Sequence, residues 1–169
     1  MRRLLRRATQ GRRRASADGE ALGALRRAGL AHRRDRGPQW LHDFSFAAVL
    51  SEIPPARRLV AEFAEDCGLQ GPPLFDLLLA VGEALANAVK HGSPRRNADW
   101  VRVRVGAWDH AVAVEVKDNG QGFGASRLCA PDVLESGGRG IPFMRALVDD
   151  LQFECSSTGT TVVLLKHMR

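Results

Sequence analysis

Between Pro72 and His91 the sequence keeps a clean helical period, and the rest of the chain has to be built around that run. Leu74, Leu77, Leu78, Val81, Leu85 and Ala88 recur at three- and four-residue spacing and form one apolar stripe. Pro72-Pro73 suits a first helical turn, where a missing N–H costs nothing, and Gly92-Ser93-Pro94 stops the run. The other side carries Glu83, Asn87 and His91. Residues at i, i+4 and i+8 lie within about 80° of one another on an α-helix. The helix therefore buries its back and presents a carboxylate, an amide and an imidazole, a set that can hold a metal ion or move a proton. Standing alone, the same trio would equally be a solvated polar face.

The flanking texture fits a two-layer domain. Phe44, Phe46 and Ala48 alternate with Ser45 and Ala47 as a first strand. Pro54-Pro55 opens a helix with Leu59, Val60, Phe63 and Ala64 on its apolar face, and Gly68 ends it. After the Pro72–His91 helix come a strand at Val101, Val103 and Val105 and another over 111–117, paired as a hairpin through Trp108-Asp109-His110. A loop over 119–137, a helix over 140–149 and strands near 151–156 and 160–166 complete the order β-α-α-β-β-α-β-β. One mixed sheet with helices on one face, an α/β two-layer sandwich, buries these stripes most economically.

Four short motifs stand out along this framework. Glu83-x3-Asn87-x3-His91 is the first, and Asp118-Asn119-Gly120-Gln121-Gly122 follows a strand. Gly137-Gly138-Arg139-Gly140 precedes the helix that begins at Ile141, and Gly159-Thr160-Thr161 opens the last strand. In this order and spacing, over residues 44–166, the chain resembles the GHKL (Bergerat-fold) ATP-binding family. It has that family's N box, D-x-G-x-G box, glycine box and terminal G-T-T strand.

The resemblance implies an ATP site, and elementary chemistry says what each residue would do there. Adenine's exocyclic amine needs an acceptor, the role the resemblance assigns to Asp118; otherwise Asp118 is an ordinary turn aspartate. Gly120 and Gly122 would let the backbone approach the base, and Thr160 would support the same pocket. Gly138, Arg139 and Gly140 would meet the phosphates at a helix N-terminus, where free N–H groups accept anions. The loop Gly124–Gly137 would be a lid that orders when nucleotide binds. Mg²⁺ takes oxygen ligands and keeps several waters, so Asn87 with phosphate oxygens suffices. Glu83 would be the general base, taking a proton from an attacking hydroxyl. His91 would either line the phosphate end or cap the helix C-terminus with a partly cationic ring, and the structural role is preferred.

Among branches of the family, those with large added domains do not fit 169 residues. Sensor histidine kinases need a phosphoacceptor histidine on a long helix, and neither His32 nor His42 lies on one. The phrases Ala80–Ala88 and Gly138-Arg139-Gly140-Ile141 resemble the stand-alone bacterial serine kinases that are also anti-sigma factors. That resemblance implies ATP and Mg²⁺ as cofactors, and a serine/threonine-protein kinase acting on a small antagonist (anti-anti-sigma) protein. It also implies a sigma factor as partner, and a homodimer. The alternative is a nucleotide-gated protein-binding switch without turnover, because fold analogy does not establish catalysis.

Composition bounds the remainder. Residues 1–38 hold 12 arginines and 3 acids, while residues beyond them carry a net −3 within the total of +6. This basic segment is expected to be a largely disordered tail, and 40–169 the ATP-binding domain. The tail is either an electrostatic arm for nucleic acid or an anionic surface, or an extension from a start codon assigned too far upstream. The second reading is favoured. Cys67, Cys129 and Cys155 have no paired spacing and read as free thiols. No apolar run is expected to reach the ~20 residues of a membrane span, and no secretory leader is recognisable, so a cytoplasmic protein is expected.

Overall fold

Alternating valines build the middle of the sheet. In β2 (Trp100–Trp108) Val101, Val103 and Val105 are fully buried, and so are Val112 and Val114 in β3 (Ala111–Asp118). The register sets Val103 opposite Val116 and Val105 opposite Val114, so the valines share one face. Trp108 pairs with Ala111, which closes the expected hairpin. β1 (Trp40–Ala47) pairs along the outer edge of β2, presenting Phe44 and Phe46 to the same face. The computed structural model describes residues 40–93, 98–108, 110–119, 139–156 and 159–168. The chain divides into Met1–Asp35 and Arg36–Arg169, and every described residue belongs to the second unit. The basic segment 1–38 therefore lies outside the described residues.

A 3-10 turn (Leu50–Glu52) leads into α1 (Ile53–Asp66), whose Pro54 and Pro55 lie in the first turn as expected. α2 (Gly71–Lys90) follows, then after β3 come α3 (Gly140–Leu147), β4 (Asp150–Ser156) and β5 (Gly159–His167). The strand order is β1-β2-β3-β5-β4, and every adjacent pair is antiparallel. The α/β two-layer fold stands, but the expected mixed sheet is corrected to an antiparallel one. The cause is topological. β3 and β4, joined through α3, run parallel to each other, but β5 turns back from β4 and inserts between them.

α2 lies across β2, β3 and β5 and is the centre of the core. Leu77, Val81 and Leu85 are completely buried under it, each stabilising the fold by roughly 1.5–3 kcal/mol. By length and composition α2 is also apolar enough to cross a membrane, which corrects the expectation that no segment comes close. Its three charges, Asp76, Glu83 and Lys90, are spread so widely that they barely interrupt the apolar run. Packed on a sheet, it is here the core helix of a globular fold.

On the sheet face away from the helices, Arg104 and Glu115 sit opposite each other and are both buried. Arg104 donates through Nε to Glu115 Oε1 at 2.8 Å and through Nη2 to Oε2 at 2.7 Å, a two-pronged ion pair. Arg102 and Asp43 form an exposed counterpart, with Nε donating to Oδ1 at 2.8 Å.

On the helix side the His42 ring stacks on Phe63, with centroids 3.9 Å apart and planes 8° from parallel. Desolvation pulls its pKa below the ordinary 6.5, partly opposed by the negative charge of Asp66. The folded state therefore prefers neutral imidazole, and the unfolded chain binds more protons as pH falls through that ordinary value. Stability should fall on acidification through this range and recover above it. Thermal unfolding of the wild type and of His42→Phe at stepped pH checks this. The variant should lose much of the slope around neutrality, whereas an unchanged slope assigns it to other groups. Nearby, burial pushes the free Cys67 thiol up to about 11, with a contribution from Asp66, so it is unreactive at neutral pH.

Candidate functional site

Asp118 is the last residue of β3 and continues the helix-facing series Val112, Val114, Val116. Its side chain is consequently carried under the C-terminal end of α2, where it is buried. A carboxylate placed there needs donors and room, and both come from distant parts of the chain. Thr160 N–H donates to Asp118 Oδ1 at 3.1 Å. Gly92 and Gly159 supply the room. A Cβ at Gly92 would lie 2.2 Å from Asp118 Oδ2, and one at Gly159 would lie 2.1 Å from the Asp118 carbonyl oxygen. Gly159 also has φ +139°, a backbone that side-chain-bearing residues rarely adopt.

The end of α2 is tied down where it meets Asp118. Gly92 N–H is shared between the carbonyls of Asn87 and Ala88, and Ser93 Oγ donates to the Ala88 carbonyl at 3.0 Å. Asn119 Oδ1 accepts from the Trp100 N–H at 2.8 Å, fastening the exit of β3 to β2. His91 is the exposed C-cap residue of the helix, where its backbone N–H bonds the Asn87 carbonyl. Beside Asp118, the Thr160 hydroxyl is buried with no hydrogen-bond partner among the described residues. Leaving such a group unsatisfied costs about 1–3 kcal/mol, so the spot calls for a polar partner such as a water or a ligand.

One turn back along α2, Asn87 Nδ2 donates to Glu83 Oε1 at 3.2 Å. The two residues therefore act as one polar unit, as their four-residue spacing requires. Among the described residues nothing donates to Asn87 Oδ1, which leaves that oxygen available to a cation. The start of α3 lies directly on this pair. A Cβ at Gly140 would fall 2.2 Å from Glu83 Oε1 and 3.4 Å from Asn87 Nδ2. Arg139, the exposed residue before α3, adds a positive charge to a helix N-terminus.

Of the residues expected in the site, the structure thus brings Asp118 and Thr160 together at one end of α2. It brings Glu83, Asn87 and Gly140 together one turn away, with Arg139 next to Gly140 in the chain. Gly120, Gly122 and Gly138, and the lid over 124–137, lie outside the described residues. The sequence reading missed Gly92 and Gly159 as parts of the site. Gly92 was read only as a helix stop, and nothing in its local sequence says that a carboxylate some 26 residues downstream would press against it.

Residues 46–166 match the histidine kinase-like ATPase domain family. A serine-protein kinase RsbW from Bacillus velezensis is 33% identical over 122 residues, covering 66% of this chain and 76% of the relative. An anti-sigma F factor from Bacillus subtilis is 28% identical over 130 residues, covering 73% and 89% respectively. Among solved structures, the RsbU and RsbW domains of a Mycobacterium tuberculosis protein superpose with a TM-score of 0.56 at 21% identity. That match covers 78% of this chain and 34% of the other, and it speaks to the fold.

Proposed function

Because this chain belongs to the histidine kinase-like ATPase domain family, we propose that it binds ATP with Mg²⁺ and acts as a serine/threonine-protein kinase and anti-sigma factor. The observation that carries the ATP reading is the buried Thr160 hydroxyl beside the Asp118 carboxylate, with no hydrogen-bond partner among the described residues. An acceptor and a hydroxyl, buried side by side, match the polar edge of adenine. The N-terminus of α3, with Arg139, suits the phosphates.

ATP supplies the phosphoryl group, and the protein's own residues position and neutralise it. Asn87 Oδ1 would ligate Mg²⁺ together with phosphate oxygens. No three His, Cys, Asp or Glu side chains converge on a metal site among the described residues, and a magnesium ion held largely by phosphate and water needs none. Glu83 would accept the proton of the attacking serine hydroxyl. The Asn87 amide orients its carboxylate for that task. Gly138, Gly120 and Gly122 complete the proposed nucleotide site from outside the described residues. The names of these relatives support a serine as phosphate acceptor and a sigma factor as the protein held. A small antagonist protein carrying that serine, and a cytoplasmic place of work, belong to the same proposal. A homodimer remains part of this reading, as does a basic tail ahead of the 40–169 domain.

Glu83→Gln tests the catalytic assignment. The variant should bind ATP with wild-type affinity by calorimetry and lose about 10²–10⁴-fold in the rate of phosphoryl transfer to a candidate antagonist protein. Equal transfer rates would remove Glu83 from the chemistry. A wild-type ATP complex that phosphorylates no candidate would replace the kinase with a nucleotide-gated switch.

A further inference from the structure

β5 carries one residue that breaks its own pattern. Its helix-facing series runs Thr160, Val162, Leu164 and then Lys166, since Val162 lies opposite Val116, Leu164 opposite Val114 and Lys166 opposite Val112. A lysine on an apolar face ordinarily reaches past it to water. This one does not, for its side chain is only 13% exposed. Its ammonium donates instead to acceptors on two different helices, Asp76 Oδ2 on α2 at 3.0 Å and the Leu147 carbonyl on α3 at 2.6 Å. Leu147 is the last residue of α3, so the cation sits at the helix end where the backbone dipole is negative. α3 needs such a tie. Its eight residues make a helix only about 12 Å long, too short to be stable alone, and no side chain caps its N-terminus. Ile141 and Met144 are buried against the core, but apolar burial is non-directional. It fixes which side of α3 faces inward and leaves the position along α2 to polar contacts.

The contacts at the two ends of α3 are spaced alike on both helices. Asp76 lies seven residues before Glu83 on α2, and Gly140 lies seven before Leu147 on α3. On either helix that is about 10 Å, or two turns, so both contacts fall on nearly the same side. With Gly140 against Glu83 and Leu147 tied through Lys166 to Asp76, α3 runs antiparallel to α2 and the two spans match. The fit at Gly140 has no slack, because even a Cβ there would fall 2.2 Å from Glu83 Oε1. We propose that Lys166 is a positioning residue for the phosphate end of the nucleotide site. Its two bonds set where α3 stands along α2, and so where the Arg139–Gly140 N-terminus meets the phosphates. This rests on the reading of that N-terminus as the phosphate site. Lys166 is itself remote from the nucleotide. It lies six residues along β5 from Thr160, about 20 Å, and at the far end of α3 from Gly140, so it acts through the helix.

Lys166→Met keeps the apolar stem and removes both bonds. Equilibrium dialysis of the full chain with radiolabelled ATP, in the presence of Mg²⁺, and with radiolabelled adenosine separates the two ends of the site. Lys166→Met should lose at least about tenfold in ATP affinity and leave adenosine affinity unchanged. Lys166→Arg, which can still donate to both acceptors, should recover most of the ATP loss. Asp76→Asn, a milder change at a partly exposed carboxylate, should show the same selective loss on a smaller scale, and it decides alone if Lys166→Met does not fold. Hydrogen exchange of the Phe143–Val148 amides needs no ligand and should quicken in Lys166→Met with α2 unchanged. The proposal is overturned if ATP affinity is unchanged, or if ATP and adenosine affinities fall together as general destabilisation would make them. Equal exchange in α3 overturns it as well. A wild type that binds ATP no better than Lys166→Met loses only the positioning role. A wild type that binds no ATP loses the nucleotide reading, and amide exchange alone then decides whether Lys166 holds α3.

Discussion

Asp118→Ala should weaken ATP binding by about 10–100-fold in calorimetry on the full chain. A hydrogen bond to a charged group is worth about 1.5–3 kcal/mol, and each 1.4 kcal/mol is a factor of ten in affinity. Asp118 is buried, so water cannot replace the lost acceptor, and the Thr160 N–H that it holds is released at the same time. Gly92→Ala offers an independent route to the same loss without touching a polar group. Its added methyl would stand 2.2 Å from Asp118 Oδ2, too close for both to stay. Gly92 is outside the left-handed region, so alanine is tolerated by the backbone and the effect falls on the pocket. Wild-type affinity in both variants would remove Asp118 from the nucleotide site. Loss in both, with unfolding temperature preserved, would locate the adenine end where β3 meets the end of α2.

Arg104→Met should destabilise the domain by about 3–5 kcal/mol, because it leaves Glu115 buried without its counter-charge. Both side chains are only 8% exposed, and the two-pronged geometry satisfies both carboxylate oxygens. A domain's whole stability is about 5–15 kcal/mol, so this single change is a large part of it. Replacing both partners, Arg104→Met with Glu115→Leu, should restore stability to near wild type or beyond, since no charge is then stranded. Urea unfolding midpoints of the single and double variants decide the matter. A single-variant loss below about 1 kcal/mol would mean that the pair behaves like a solvated surface bridge.

The pieces of this fold that could be read from the sequence are those set by near neighbours. The Leu74–Ala88 stripe foretold α2 because burial on a helix repeats every three or four residues. The prolines foretold where α1 and α2 begin, and Val101, Val103 and Val105 foretold a strand with one buried face. The pairing of Glu83 with Asn87 was legible too, since their spacing alone brings them together on any helix. Asp118 and Thr160 were legible only through a motif resemblance. A lone aspartate before Asn-Gly, or a threonine in a strand, carries no such message.

Local spacing determined that this chain has a polar ledge of Glu83 and Asn87 on an apolar helix, and which strands surround it. Tertiary structure alone decided that β5 inserts between β3 and β4, making the sheet antiparallel and delivering the Thr160 N–H to Asp118. It alone pressed Gly92 against that carboxylate and Gly140 against Glu83. Periodicity records which side of an element is buried, because that depends on residues a few positions away. Which elements become neighbours depends on crossovers and register between segments tens of residues apart, where spacing within a segment carries no signal.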